Sequence, residues 1–302
     1  MPEFLFNRKV NVVVAVPLDV DTDNLAAAAF GGAAAGGFGK MSAQAIEIKD
    51  LRVQFKVEKT LDKHPNTAEI QITNLAERTR ASLQNKAAKI LLKAGHETTL
   101  AQIFYGDVTI IDHTRDGADW VTKIQCGDGE RGFLHARVSE SYKAGTPVSE
   151  IVTRLSQAMG LDIGNAIAKA QGLASQQFVN GYVAHGPASK ELGKVLKAAG
   201  YEFSIQDGRL QVLKPGETNT ERIVTLSSAS GLIGSPEYGT PDKKTKKSVI
   251  KVKSLLIPDL LPGGRVNLDS ERHKGIHKIL KLSHTGDTAG NDWYTEMEME
   301  VV

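Results

Sequence analysis

"DWYTEMEMEVV", Asp292–Val302, alternates apolar and acidic residues at period two. Such a repeat sends successive side chains to opposite faces of an extended chain, the mark of a strand with one buried and one polar face. Trp293, Thr295, Met297, Met299 and Val301 fall on one side, and Glu296, Glu298 and Glu300 on the other. Working outward, strand patterns recur at both ends of the chain. "RKVNVVVAV" places Val10, Val12, Val14 and Val16 on one face. "AIEIKDLRVQFKVEKT", "TAEIQITNL", "KILLKAGHE", "AQIFYGDVTIID" and "WVTKIQCGDG" read as further strands. The C-terminal segment adds "ERIVTLS", "SVIKVKSLL", "GRVNLD" and "IHKILKLSH". One helix interrupts the first block, with Asn74 expected as its cap and Glu77 three residues on. Many strands with one short helix predict a closed or nearly closed β-barrel, because closure removes exposed sheet edges.

The middle of the chain differs. "TPVSEIVTRLSQAMGLDI" and "GPASKELGKVLKAAGYEF" match at a spacing of 40 residues, aligning Pro147, Ser149, Ala158 and Gly160 with Pro187, Ser189, Ala198 and Gly200. Proline suits the first helical turn, where its missing N–H costs nothing, and glycine suits the left-handed residue after the last turn. Val148, Val152, Leu155 and Met159 make one apolar stripe, and Leu192, Val195, Leu196 and Ala199 the other. Each helix runs into a strand, Leu161–Ile163 or Tyr201–Ile205, and Asp207-Gly208 signals a type I′ hairpin. Lys143–Glu217 is therefore expected to be a small α/β module with an internal repeat.

Composition sets wide bounds. At 302 residues the chain has room for about two domains, or three small ones. A net charge of +2 argues against a dedicated nucleic-acid binder, and a single cysteine, Cys126, excludes an internal disulfide framework. With neither a transmembrane segment nor a signal peptide in the sequence, synthesis and folding are expected in the cytoplasm. One stretch is unusual: Leu25–Gly39, inside the Ala/Gly-rich segment 24–41, has no charge and five glycines among 15 residues.

Motifs that would carry chemistry fail on inspection. "GDGERG", Gly127–Gly132, matches a dinucleotide fingerprint, but the following "FLHARVSESY" alternates like a strand, and Asp128 and Glu130 would repel phosphates. "DVDTDN", Asp19–Asn24, opens like a calcium loop but has Asn24 where Gly is needed and Phe30 where the bidentate Glu belongs. In "HKGIH", His273 and His277 are four apart without the Glu of a zinc-protease helix, and both are expected on the surface of a strand and its turn. Cys126 reads as a small apolar residue at a strand end. No catalytic constellation, cofactor motif or metal set emerges, so the chain is not expected to be an enzyme. The run Lys243, Lys244, Lys246 and Lys247 is either a solvated loop or a dock for an acidic partner.

Read whole, the chain resembles the baseplate hub, or tail-hub, proteins of tailed bacteriophages. The resemblance lies in "DLRVQFKVEKT", "NTAEIQITNLAERTR", "LLKAGHE", "IFYGDV", "SLLIPDLLPGGRVNLDS" and above all "KLSHTGDTAGNDWYTEMEME". It implies a mainly β fold with an α/β insertion: a first tail-tube-like β-barrel over 1–142, the inserted module over 143–217 and a second barrel over 218–302. The strands over 119–142 complete either barrel. It also implies a homotrimer in the virion tail, joining the hexameric tail-tube ring to the trimeric central spike. Tape-measure and other baseplate proteins are further implied partners, with DNA passing through unbound. A hub of a phage-like secretion system or tailocin, and a cell-wall-binding or lytic module, are the competing readings. On the hub reading Glu296, Glu298 and Glu300 either line the lumen or form an outer solvated face. The Ala/Gly segment, a departure from the hub pattern, is either a flexible linker or a docking arm anchored by Phe30 and Phe38, with Leu25 at the same interface. Deleting Leu25–Gly39 should leave the isolated chain folded, by circular dichroism, yet block its incorporation into tails; normal tail assembly without the segment would refute the arm.

Overall fold

Alternation along the sequence becomes alternation in burial. The structure is a computed structural model describing residues 7–17, 43–83, 88–163, 171–219, 223–239 and 248–302. Leu25, Phe30, Phe38 and Lys243, Lys244, Lys246 and Lys247 lie outside those residues. The chain passes through β1 (Arg8–Pro17), β2 (Ala43–Ile48), β3 (Val53–Thr60), β4 (Thr67–Thr73), α1 (Glu77–Leu83), β5 (Lys89–His96), β6 (Ala101–Asp116) and β7 (Asp119–Gly127). It continues as α2 (Glu130–His135), β8 (Arg137–Tyr142), β9 (Thr146–Pro147), α3 (Val148–Ala158), α4 (Gln171–Ser175), β10 (Gln177–Phe178), β11 (Tyr182–Pro187), α5 (Ala188–Ala198), β12 (Glu202–Gln206) and β13 (Arg209–Leu213). The last segment holds β14 (Ile223–Ser227), β15 (Leu232–Tyr238), β16 (Val249–Leu255), β17 (Arg265–Asp269), β18 (Lys274–Asp287) and β19 (Trp293–Val301).

Two units result. A β unit comprises Met1–Thr60, Thr67–Gly127 and Asn219–Val302, and an α/β unit comprises Leu61–Asn66 and Asp128–Thr218. The α/β unit thus begins at Asp128, ahead of the boundary expected after Tyr142, because β8 pairs with β11.

In the β unit the first and last segments share one 13-stranded sheet. Its first half runs β3-β4-β7-β6-β5-β1-β2, and its second runs β15-β16-β19-β18-β17-β14. The orders match strand for strand: β15 stands for β3, β16 for β4, β19 for β7, β18 for β6, β17 for β5 and β14 for β1. All matched neighbours are antiparallel, except that β14 runs parallel to β17 where β1 runs antiparallel to β5. The long strands also carry the same irregularity, a bulge at Thr109 opposite β7 and at Leu280 opposite β19. A bulge inserts one unpaired residue and bends the strand. Among the described residues the sheet is open, with β2 and β15 at its ends, so the barrel closure expected from the strand count is not seen there.

The halves meet on β18. Lys274–Lys278 pairs with β17, and further along the same edge Lys281–Asp287 pairs with β3, while β19 covers the other edge. The first half buries Val12, Ile70, Ile90, Leu92, Phe104 and Ile124 in a core that also takes in Trp293 of β19. The second buries Leu226, Val252, Val266, Ile279, Leu282, Met297 and Met299. Asn74 does not cap α1. It takes a left-handed conformation, donates from Nδ2 to Asp119 Oδ1 (2.8 Å) and accepts the Trp120 N–H (2.9 Å), tying β4 to β7.

The α/β unit realises the 40-residue repeat. Pro147 and Pro187 precede α3 and α5 in extended conformation, and Gly160 and Gly200 follow them at φ 67° and 81°. The N–H groups of Leu161 and Tyr201 reach back to Ser156 and Leu196, the six-to-one bond of a Schellman cap in both copies. The two copies differ after the cap, since Asp162 makes only an isolated bridge to Arg209 where Glu202–Gln206 is a full strand. Asp207 and Gly208 both have positive φ, as a type I′ turn requires.

Burial gives the fold an acid-sensitive point. His284 is fully buried, with Nδ1 2.8 Å from Thr295 Oγ1, and desolvation, aided by the charge of Lys59, pushes its pKa down to about 3. Below about pH 6.5 the unfolded chain takes up a proton that the folded chain refuses, so stability falls by up to about 1.4 kcal/mol per pH unit between 6.5 and 3. Urea unfolding at pH 7.5 and 5 should show this loss, and His284→Gln should shrink it; parallel losses in both proteins would rule His284 out as the source.

Candidate functional site

β19 carries one polar and one buried face, and the polar face continues across the sheet. Glu296 accepts from Lys253 at 3.0 Å and Glu298 from Lys251 at 3.5 Å, both lysines lying directly opposite on β16. Lys253 Nζ also sits 4.3 Å over the Tyr294 ring. On the other side Glu298 faces Lys281 and Glu296 faces Ser283 of β18. The same face carries Lys56 and Glu58 of β3, themselves paired at 2.8 Å, then Glu69 of β4, Lys123 of β7 and Asp112 of β6. Hydrogen bonding between Lys56 and Glu58 raises the lysine pKa and lowers that of the glutamate. Both signs are thus interspersed, and each exposed pair contributes only about 0–1 kcal/mol to stability. The face is polar without being strongly negative.

The expected alternation fails at its end. Glu300 is 1% exposed and lies in register between Val249 and Lys278, whereas Val301 is 52% exposed. Glu300 therefore leaves the solvated row that Glu296 and Glu298 share.

The joint between the halves is built around Asp287 and Trp293. Arg52 donates from Nε to Asp287 Oδ1 (3.2 Å) and from its Nη2 to Oδ2 (2.8 Å). Gln54 Nε2 and the Ala289 N–H complete the carboxylate's shell. Trp293 meets Phe55 edge-on at 5.6 Å between ring centroids, with the Arg8 guanidinium 5.5 Å from its ring. Gly286 is required here: an added Cβ would lie 2.3 Å from Phe55 Cζ.

These residues belong to a second repeat, whose copies differ in length. "HTGDTAGNDWYT", His284–Thr295, matches "HTRDGADWVT", His113–Thr122, once two extra turn residues are allowed. His113, Thr114, Asp116, Asp119, Trp120 and Thr122 stand for His284, Thr285, Asp287, Asp292, Trp293 and Thr295, each at the matching position of the matching hairpin. His113 Nδ1 lies 3.0 Å from Thr122 Oγ1, the same pairing as His284 with Thr295.

Other sequence motifs resolve structurally. A short helix, α2, does open after "GDG", but the buried Asp128 carboxylate accepts the N–H groups of Asp207 (2.5 Å) and Gly208 (2.6 Å). Cys126 is buried in the first-half core. His277, expected on the surface, is 2% exposed, its Nδ1 3.0 Å from the Gly275 carbonyl. The bulge at Leu280 explains this, because it moves the core-facing positions from odd to even numbers, leaving His277 and Ile279 inside on the near side.

The fold is that of phage tail proteins. It is similar to the 43 kDa tail protein of prophage MuSo2 from Shewanella oneidensis, with a TM-score of 0.60 at 8% identity over 85% of this chain and 94% of that one. The tail protein from Neisseria meningitidis MC58 gives 0.59 at 10% identity, covering 98% and 97%. A component of the Escherichia coli type VI secretion system, c3393, gives 0.55 at 10% identity, covering 84% and 74%, and is itself described as similar to the bacteriophage T4 tail proteins gp27 and gp5. No curated sequence matches the chain. Residues 38–273 match the family model for baseplate hub gp41, and the chain belongs to that family. It is a structural protein of the phage tail baseplate.

The Asp287 clamp is testable. Arg52 and the surrounding donors hold the carboxyl down to about 2, against an ordinary value of 3.8. A lowered carboxylate contributes stability above its unfolded pKa and loses it as pH falls toward the folded one. Asp287→Asn should cost about 1–2 kcal/mol at pH 7 and much less near pH 2.5, read by urea midpoints. An equal cost at both values would mean that packing, not charge, holds the joint.

Proposed function

We propose that this chain is the homotrimeric hub of the baseplate, joining the tail-tube ring on one side to the central spike on the other. What carries the reading is the repetition within one chain: two halves with the same strand order, the same bulge and the same His-Thr…Asp-Trp hairpin. Each half is a tail-tube-like barrel, the first within 1–127 and the second within 219–302. A trimer then offers six similar halves to a hexameric tube and a threefold surface to the spike. The α/β unit is the insertion between the barrels. Tape-measure and other baseplate proteins are its further neighbours, and the role is structural rather than enzymatic.

On this reading the polar face of β16, β19, β18, β3 and β4 lines the DNA channel. Carboxylates repel phosphate, while lysines held by Glu296 and Glu298 are less available to grip it, so DNA slides by. The likeness to the type VI component supports a second reading, the same device in a phage-like secretion system. Capsid and terminase genes beside this one would favour the phage.

Reversing Glu296 and Glu298 together (E296K/E298K) tests the channel. Glu296 is exposed and Glu298 half-buried, so the thermal midpoint should fall only by what a few like-charged cross-strand pairs cost, about 0.2–1 kcal/mol each, and tails should assemble. DNA ejection should slow, and recover as salt screens the new charge. Ejection at the native rate in low salt would place the glutamates away from the DNA.

A further inference from the structure

The joint on β18 is a template for a contact that the single chain leaves unmade. Lys281–Asp287 has β19 on one edge and β3 on the other. The matching segment of β6, Ile110–Asp116, has β7 on one edge. Among the described residues no strand pairs with its other edge, since the β5 ladder stops at Asp107. The strand that matches β3 is β15, and among the described residues it pairs with β16 alone. One chain therefore carries an accepting edge in its first half and a matching donating edge in its second. They stand at opposite ends of the run β15-β16-β19-β18-β3-β4-β7-β6.

Exposure agrees with a missing neighbour. Beside the occupied edge, Trp293 is 1% exposed and His284 is fully buried. Beside the open edge their counterparts are uncovered, Trp120 to 37% and His113 in part. Ile110 on the open edge of β6 is 55% exposed and Tyr238 on β15 is 74% exposed. Unpaired edges flanked by exposed apolar side chains are the surfaces on which strands add.

We infer that β15 of one chain adds, antiparallel, to the Ile110–Asp116 edge of β6 in a second copy of this chain, repeating between copies the pairing that β3 makes with β18 within one. Carrying the β18–β3 register across the two matched bulges sets His113 opposite the partner's Tyr238 and Thr114 opposite the partner's Glu237. The contact is head-to-tail, so identical repetition either closes a ring or runs on as a filament. Contacts within and between chains then alternate around the assembly as near copies of one another. The edge pairing is argued from the chain itself; closure at three copies rests on the hub reading.

Cross-linking tests it on the full-length chain. Thr114→Cys and Glu237→Cys combined, treated with a short bis-maleimide, should give a denaturing-gel ladder of two and three chains and nothing larger. Neither single variant should do so, nor the native chain, whose Cys126 is buried. As a second variant, Ile110→Asp should keep its thermal midpoint while its trimer fraction in native mass spectrometry falls at least tenfold. A trimer that forms without cross-linking, or one indifferent to Ile110→Asp, overturns the edge pairing and leaves the hub reading standing. A ladder running past three overturns the closed ring, and a chain monomeric at every concentration overturns both readings.

Discussion

Everything in the β unit depends on one strand having two partners on one edge. β18 gives its first residues to β17 and its later ones to β3, with β19 held along the opposite side. Side chains alternate at period two, so a strand that changes partner along one edge must keep its apolar positions facing inward on both sides of the change. The extra residue at Leu280 does this: Ile279 faces inward before it, and Leu282 and His284 face inward after it. β6 solves the same problem at Thr109, with Val108 inward before and Ile111 and His113 on the core side after. Deleting either bulge residue would turn the side chains on one side of it away from the core they share with the other side.

Where the two halves diverge, the cause is local. Gly286 stands opposite Trp293 because the Phe55 ring occupies the space a Cβ would need, whereas the matching residue on β6 is Arg115, with no ring against it among the described contacts. β14 runs parallel to its neighbour where β1 runs antiparallel, and it follows directly on the α/β unit, which ends at Thr218. The shared features of the two halves are the strand order, the bulge and the His-Thr pairing, while turn length and the orientation of the last strand differ.

Period-two alternation made most strands legible, and the 40-residue helix repeat was legible because its two copies have equal length. β15 was not, since Gly234 and Pro236 break its pattern and its register shifts between Ile233 and Glu237. Asn74 marks the start of α1 in the sequence pattern, yet its side chain is engaged on the β7 end instead of on the helix. The His-Thr…Asp-Trp repeat has no fixed spacing in the sequence, because one turn is two residues longer. His277 and Glu300 were assigned to the surface by alternation alone, and both lie just on the far side of the bulge from the residues that set the pattern. Registers are fixed by pairing, which a single strand's sequence does not contain.

The polar face follows from the same joint. Because β3 docks on β18, the lysines and glutamates of both halves fall into common rows, Lys253-Glu296-Ser283-Glu58 and Lys251-Glu298-Lys281-Thr60. Like charges directly opposite would oppose the pairing, and alternating signs along each row remove that cost. The condition that lets the halves join therefore also keeps the shared face close to electrically balanced. On the hub reading that balance has a second consequence: a wall too negative would push its own subunits apart, and one too positive would hold DNA. A register that alternates charge across strands avoids both with the residues the joint already requires.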